Sequence, residues 1–264
     1  MNDYAGNLRV ATLPVSIVPD DKEANFAAVE KALAKLPEGT DIVVLPELFS
    51  TGYSGDAGAM ASLAERNTEG TIDRVKQWAA STGAAFAGSF LAVTHPHLYN
   101  RAFFIEPSGE ETFYDKRHLF SLSSEAKIFA AGQDRMPVVR FRGWNVAMVV
   151  CYDLRFPVWC RCRHGEYDLL LVCANWPRAL AYAWEHLLIA RAIENQSCVV
   201  GANRGGEDAF GSYDGLSYIF DGRGMAVGVR PVDSPFIVAD LNRGKLAEFR
   251  RSFPEANDAD YFTL

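Results

Sequence analysis

Three reactive side chains each lie at the end of a run of the sequence that predicts a strand. Glu47 ends the run "IVVLPE", Lys116 ends the run "ETFYDK", and Cys151 follows "WNVAMVV". A cysteine attacks as a thiolate, so it needs a base or a cation nearby to lower its effective pKa from about 8.5. Glu47 could accept the thiol proton, and Lys116 could stabilise both the thiolate and an oxyanion. Together the three groups predict acyl transfer with Cys151 as the nucleophile.

Each of these residues also has a purely structural interpretation. A carboxylate after a buried strand is often capped by backbone amides, a lysine after an extended run is usually solvated, and cysteine is among the residue types most often buried. The stretch "CYDLRFP" is, however, typical of a strand-to-helix turn, which pushes a side chain outward and points the next backbone N–H into the same space. Such a turn would give Cys151 an oxyanion donor in the backbone N–H of Tyr152.

The elements that must position these residues alternate between strands and helices. Short runs rich in Val, Ile and Leu predict strands, and "DDKEANFAAVEKALAKL" predicts a helix with Asp20 or Asp21 as its N-cap. "TIDRVKQWAAST" and "AYAWEHLLIARAIENQ" predict two further helices, and "LYNRAFFIEPSGEETFYDK" predicts a hairpin. The alternation predicts one α/β domain with helices outside and strands within.

Composition excludes several classes of protein. The chain is 49% hydrophobic and 22% charged, which argues against disorder, and its formal charge of -7 disfavours a nucleic acid or an anionic membrane as partner. "MNDYAGNLRVATLPVS" lacks the basic and apolar regions of a secretory signal, and the apolar runs are too short to span a bilayer. The five cysteines lack the paired spacing of a zinc site. We therefore expect a cytoplasmic protein with no membrane and no metal.

Three motifs resemble those of the nitrilase superfamily, the carbon-nitrogen hydrolases. "LPELFSTGY" resembles the motif that carries the catalytic glutamate, "YDKRHLF" the motif with the lysine, and "VVCYDLRFP" the motif with the nucleophilic cysteine. The resemblance implies that Glu47, Lys116 and Cys151 are a catalytic triad. It also implies that Glu125, in "SLSSEAKIFAAG", orients Glu47 or the substrate amide. No cofactor is implied.

The same resemblance implies a fold and an assembly. Members of the superfamily have a four-layer α-β-β-α sandwich, which would here be a single domain over residues 1–264. They usually pair into dimers, so a homodimer or higher homo-oligomer is expected. The tail of about 250–264 is too polar to be core throughout, but Tyr261 and Phe262 suggest that it docks on a partner subunit.

Within the superfamily, "CYDLRFP", "VCANWP" and "ARAIENQ" look most like the omega-amidase branch. The substrates of that branch are 2-oxoglutaramate and 2-oxosuccinamate, which are hydrolysed with water to a carboxylate and ammonia through a cysteine thioester. The alternatives are another amide substrate, such as a carbamoyl compound or deaminated glutathione, and a catalytically silent chain that serves as a binding subunit.

An omega-amide substrate carries a carboxylate at its far end, which an acidic protein must meet with a local cation. Arg155 is the nearest candidate in sequence, since a guanidinium binds a carboxylate through two hydrogen bonds. A salt bridge from Arg155 to Asp153 or Glu166 is the alternative.

Three further residues belong to the predicted pocket. Arg178 is the second candidate for the substrate carboxylate. Asn175 and Trp176 end the strand "DLLLVCANW" and would wall the pocket, with Trp176 as plain core the competing interpretation.

Overall fold

The computed structural model describes residues 6–54 and 56–260, which form two main β-sheets and a short ribbon. The six strands of the first sheet lie in the order β13 (Ile237–Asn242), β1 (Asn7–Thr12), β2 (Ile42–Val44), β3 (Ala85–Thr94), β4 (His97–Ile105) and β5 (Glu111–Asp115). The five strands of the second lie in the order β12 (Tyr218–Phe220), β9 (Cys198–Asn203), β8 (Leu169–Ala174), β7 (Trp144–Val150) and β6 (Val138–Phe141). The ribbon pairs β10 (Gly205–Asp208) with β11 (Gly211–Asp214).

Each main sheet has parallel strands in its middle and antiparallel strands outside them. Strands β1, β2 and β3 are parallel in the first sheet, and β7, β8 and β9 are parallel in the second. Parallel strands end at the same edge of a sheet, where side chains in the following loops come together. Glu47 follows β2, whereas Cys151 follows β7 and Asn175 follows β8.

Six α-helices complete the described part of the chain. They are α1 (Lys22–Leu33), α2 (Ala57–Leu63), α3 (Thr71–Thr82), α4 (Glu125–Ile128), α5 (Ala181–Asn195) and α6 (Arg243–Ser252). In the described residues, no helix is both long enough and apolar enough to cross a membrane.

The buried side chains form separate layers that confirm the predicted four-layer sandwich. One core lies between the two sheets and joins residues such as Val44 and Leu171. A second core packs the other face of the first sheet against α1 and α3, for example through Phe26 and Trp78. A third packs the second sheet against α5, for example through Trp184. The order of layers is therefore helix, sheet, sheet, helix.

Several local predictions are confirmed, and several elements were missed. The helix α3 spans the predicted residues 71–82, and the carboxylate of Asp21 caps α1 by accepting a hydrogen bond from the backbone N–H of Ala24 at 2.9 Å. Strands β4 and β5 form the predicted hairpin. The ribbon of β10 and β11 and the helix α6 were not predicted, because "GEDAFGSYD" and "RGKLAEFRRS" are mostly polar. The short helices α2 and α4 were not predicted either.

The core between the sheets should contribute strongly to stability. Leu171 is 1% exposed in this core, whereas Val138 is 41% exposed on the edge strand β6. We expect Leu171→Ala to lower the free energy of unfolding by about 2–5 kcal/mol, because it removes buried methyl groups and leaves a cavity. The control Val138→Ala should cost less than about 1 kcal/mol. Urea denaturation measures both, and equal losses would contradict this description of the core.

Candidate active site

A buried lysine joins two glutamates at the end of the first sheet. Lys116 Nζ lies 2.9 Å from Glu47 Oε1 and 2.7 Å from Glu125 Oε1. The three residues are 2%, 4% and 5% exposed, respectively. Burial alone would lower the pKa of Lys116, but Glu125 and Glu47 outweigh it and raise that pKa well above its usual value. Lys116 is therefore a permanent ammonium ion.

Glu47 is held by donors from both sheets. Its Oε1 accepts a second hydrogen bond from Asn100 Nδ2 at 2.7 Å, and its Oε2 accepts one from the backbone N–H of Asn175 at 2.7 Å. Asn100 in turn accepts from the hydroxyl of Ser89 at 2.8 Å, and that hydroxyl accepts from the backbone N–H of Leu48 at 2.9 Å. These contacts fix the orientation of the carboxylate. The sequence did not indicate Asn100 or Ser89, since both lie inside strands with no motif of their own.

Glu125 acts on the lysine instead of contacting Glu47 directly. Its Oε1 binds Lys116, and its Oε2 accepts a hydrogen bond from the backbone N–H of Phe120 at 2.6 Å. Lys116 lies between the two carboxylates, so any effect of Glu125 on Glu47 passes through the lysine, and the role of Glu125 in orienting Glu47 or the substrate amide stays a prediction. Glu125 also ties the loop 119–124 to the buried cluster.

Cys151 begins a tight turn directly after β7. Its φ angle is +46°, and the 3-10 helix Cys151–Arg155 follows at once. A non-glycine residue rarely adopts this left-handed conformation, which is typical of functional turns. The turn agrees with the predicted strand-to-helix geometry. It leaves Cys151 partly exposed, whereas the other four cysteines, Cys160, Cys162, Cys173 and Cys198, are buried thiols without disulfide bonds.

The surroundings of Cys151 keep its thiol protonated. Burial and the negative charge of Glu47 raise its pKa well above the usual value, with Lys116 acting in the opposite direction. The Sγ of Cys151 donates a weak hydrogen bond to the backbone carbonyl of Asn175, with 4.0 Å between the two atoms. The cavity that Cys151 lines also contains a carboxylate, Glu47, and a cation, Lys116. This arrangement can remove the thiol proton during attack, so Cys151 does not need to be a thiolate beforehand.

These groups lie at the base of a cavity of about 680 Å³. Its wall is mainly aromatic and aliphatic, and includes Tyr53, Phe120, Leu122, Trp176, Phe210 and Tyr213. Tyr152 also lines the cavity, next to Cys151. A cavity with an apolar wall and a few convergent polar groups suits a small molecule.

One side of the cavity mouth comes from the ribbon of β10 and β11. Phe210, at the tip of the ribbon, lies against Tyr53 with 5.1 Å between the ring centroids. The base of the ribbon is fixed by the fully buried Arg204, whose Nη1 lies 2.7 Å from Asp208 Oδ2. The guanidinium of Arg204 also lies 4.4 Å from the ring centroid of Tyr213.

The structure distinguishes between the two arginine candidates. Arg155 lines the cavity, where its guanidinium carbon lies 4.9 Å from the ring centroid of Trp176, and it has no hydrogen bond or ion pair with any described residue. The alternative salt bridge from Arg155 to Asp153 or Glu166 does not form. Arg178 instead pairs with Asp214 on the ribbon and does not line the cavity. Arg155 is therefore the arginine that a ligand can reach.

Asn175 and Trp176 both line the cavity, as predicted from the end of their strand. The side-chain oxygen of Asn175 is buried and has no hydrogen-bond partner in the part of the chain that the structure describes. Trp176 is only 3% exposed and packs in the core beneath α5, so it is both core and cavity wall. Over residues 6–54 and 56–260, no group of three or more His, Cys, Asp or Glu side chains could hold a metal ion.

Comparisons with known proteins agree with this geometry. The sequence profile of the carbon-nitrogen hydrolase family matches residues 9–251. The omega-amidase YafV of Yersinia enterocolitica is 40% identical over 259 residues, which cover 97% of this chain and 98% of that protein. The 2-oxoglutaramate amidase of Bacillus subtilis is 32% identical over 240 residues, which cover 89% of this chain and 90% of that protein.

A solved structure is similar over nearly the whole chain. It is a carbon-nitrogen hydrolase superfamily protein of Xanthomonas campestris with an arsenic adduct in its active site. It superimposes with a TM-score of 0.91 at 37% identity and covers 98% of this chain and 99% of that one.

The charge balance around Cys151 predicts how its titration responds to mutation. Glu47→Gln removes a negative charge that raises the pKa of the thiol. We therefore expect Glu47→Gln to lower the pKa of Cys151 relative to the wild type, while burial continues to raise it. The ultraviolet absorbance of the thiolate, followed with increasing pH and corrected with Cys151→Ala in each background, measures this shift. A pKa that rises in Glu47→Gln would contradict the assignment of charges.

Proposed function

Because the chain belongs to the carbon-nitrogen hydrolase family, we propose that it is an omega-amidase, which hydrolyses the terminal amide of 2-oxoglutaramate or 2-oxosuccinamate. One observation carries the proposal: Lys116 contacts both Glu47 and Glu125 beside Cys151, at the base of a cavity that is also lined by Arg155, an arginine with no ion pair to any described residue. The similarity to an omega-amidase and to a 2-oxoglutaramate amidase supports the choice of substrate.

In the proposed first half-reaction, Cys151 Sγ attacks the carbonyl carbon of the amide while Glu47 accepts the thiol proton. The carbonyl π electrons move to oxygen, and the ammonium of Lys116 and the backbone N–H of Tyr152 stabilise the resulting oxyanion. Because Lys116 is already charged and fixed, this stabilisation requires no reorganisation during the reaction. Glu47 then gives the proton to the amide nitrogen, the C–N bond breaks, and ammonia leaves a thioester on Cys151.

The second half-reaction hydrolyses the thioester. Glu47 accepts a proton from water, and the water oxygen attacks the thioester carbonyl through the same oxyanion geometry. The C–S bond then breaks, the carboxylic acid product leaves, and the proton returns to the sulfur. Glu125 acts through Lys116 by keeping the ammonium in place, and the reaction needs no cofactor or metal.

We assign binding of the distant substrate carboxylate to Arg155. Its guanidinium carbon lies 4.9 Å from the ring centroid of Trp176, and no acidic residue within 6–54 and 56–260 pairs with it. A planar guanidinium on an aromatic ring is well placed for a bidentate contact with a carboxylate. The backbone of Asn175 and the ring of Trp176 would form the adjacent wall.

The proposal extends to assembly and compartment. The proposed assembly is a homodimer or a higher homo-oligomer, and the proposed compartment is the cytoplasm. The cytoplasm agrees with five thiols that form no disulfide, since disulfides are rare in that reducing compartment. In the proposed dimer the tail of about 250–264 docks on the partner subunit. Tyr261 and Phe262, on which that idea began, lie outside the described residues.

Ammonia release from a substrate panel tests the activity. The panel contains 2-oxoglutaramate, 2-oxosuccinamate, glutamine, an N-carbamoyl amino acid and an aromatic nitrile. We expect the two 2-oxo amides to react fastest and Cys151→Ala to lower their turnover about 10⁴-fold or more, because no nucleophile remains. Preference for the carbamoyl compound would replace the substrate, and undiminished turnover by Cys151→Ala would eliminate the mechanism.

The two arginines provide a matched test of substrate binding. We expect Arg155→Met to raise the KM for 2-oxoglutaramate about 10- to 100-fold, since it removes a charge-assisted contact with the carboxylate. Arg178→Met should leave KM within about threefold, because Arg178 already pairs with Asp214 outside the cavity. Steady-state kinetics of both variants decide the assignment, and it fails if Arg178→Met has the larger effect.

A further inference from the structure

A second buried carboxylate lies two residues after Cys151, and its acceptor sites are all used. Asp153 is 0% exposed. Its Oδ2 accepts hydrogen bonds from the hydroxyl of Tyr114 at 2.9 Å and from the backbone N–H of Val150 at 3.1 Å. Its Oδ1 accepts from the backbone N–H of His118 at 2.9 Å and lies 2.8 Å from His118 Nδ1. An ionised carboxylate has about four acceptor sites, so Asp153 is saturated.

The partners of Asp153 come from the two segments that carry reactive groups. Val150 is the last residue of β7 and directly precedes Cys151. Tyr114 and His118 lie two residues before and two residues after Lys116. The Asp153 carboxylate therefore accepts hydrogen bonds from the residue before Cys151 and from residues on both sides of Lys116 in the sequence.

The contact with Val150 also closes the turn itself. Cys151 has a left-handed backbone, which a non-glycine residue keeps only when its surroundings enforce it. The hydrogen bond from the Val150 N–H to the Asp153 side chain spans this residue and joins the end of the strand to the 3-10 helix. Without it, the chain would lose the contact that holds Cys151 in its unfavourable conformation.

We propose that Asp153 is a positioning residue that sets the place of the Cys151 thiol relative to Lys116 and Glu47. It does not touch the reacting atoms and acts through the backbone of Val150 and through the segment 114–118. The inference rests on the proposed function, in which those three groups carry the reaction.

The neighbours of Asp153 show why a carboxylate is needed. Burial and the nearby Asp153 charge raise the pKa of Tyr114 far above its usual value, so its hydroxyl remains a donor. The imidazole of His118 stacks on Phe156 with 3.7 Å between ring centroids, and Trp159 Nε1 donates to the Tyr114 hydroxyl at 2.9 Å. Each Asp153 oxygen thus accepts a hydrogen bond from a backbone N–H group, and the direction of such a donor is fixed by the fold.

The isosteric variant Asp153→Asn breaks this pattern with little change of shape. An amide has one acceptor oxygen, and its NH₂ group would point at a backbone N–H, either that of Val150 or that of His118. The control is Asp168→Asn. Asp168 is also nearly buried, at 3% exposed, and it binds Arg243, Arg250 and the backbone N–H of Asn145 far from the cavity.

Two measurements separate positioning from general stability. The first is kcat and KM for 2-oxoglutaramate: we expect Asp153→Asn to lower kcat about 100-fold with KM within about threefold, because the cavity and Arg155 are unchanged.

The second is the rate of alkylation of Cys151 by iodoacetamide between about pH 6 and pH 8. The wild-type rate should change little over this range, because Glu47 accepts the proton. In Asp153→Asn the rate should rise up to about tenfold per pH unit, as for a thiol that ionises into water.

The design contains its own check of folding. The four other thiols are buried, so a folded variant takes up one equivalent of reagent and an unfolded one takes up five. If Asp153→Asn does not fold, Tyr114→Phe, which removes one of the four donors, carries the test with an expected loss of kcat of about three- to tenfold.

The outcomes are distinct. Asp168→Asn should lose stability but keep wild-type kcat and the wild-type pH profile of alkylation. The inference is overturned if Asp153→Asn keeps wild-type kcat and alkylation, or if Asp168→Asn changes them equally. Alkylation needs no substrate. If the wild-type protein does not hydrolyse 2-oxoglutaramate, the proposed function fails, but the alkylation rates of the wild type and Asp153→Asn still test the role of Asp153.

Discussion

An ammonium ion buried between two carboxylates is the interaction on which the rest of this structure depends. A charge taken out of water is tolerated only when it is paired and hydrogen-bonded. Lys116 balances one of its two glutamates, and the remaining negative charge is met by donors: the side chain of Asn100 and the backbone N–H groups of Asn175 and Phe120. These donors come from distant parts of the chain. The cluster therefore forms only when both sheets and the loop 119–124 are in place.

The four-layer sandwich brings these parts together at one edge. Glu47 follows a middle strand of the first sheet and Asn175 follows a middle strand of the second, and the hydrogen bond between them joins the two sheets beside the cavity. Such middle strands are the most rigid places in the fold, since they are paired on both sides and covered by helices. Groups fixed there do not need to move when charge develops on the substrate, which is the condition for electrostatic catalysis.

The sequence indicated these site residues to different degrees, for physical reasons. Glu47, Lys116 and Cys151 could be predicted because each lies at the end of a predicted strand and within a motif that resembles one of the superfamily. Asn100 and Asp153 could not, since their roles depend on contacts with residues 53 and 39 positions away, respectively. The two arginines differ only in their three-dimensional neighbours. Arg178 meets Asp214 on a ribbon whose polar sequence predicted no strand.

That ribbon has a consequence for how the protein can change over time. Its tip closes one side of the cavity through Phe210, while its base is fixed by Arg204 and Asp208, and none of these three residues has a hydrogen bond or ion pair with Lys116, Glu47 or Glu125. Sequence variation at the tip can therefore reshape the entrance without disturbing the acid-base groups. The shape of the entrance and the acid-base groups lie on separate parts of the chain, so natural selection can adjust the first while the second stays fixed.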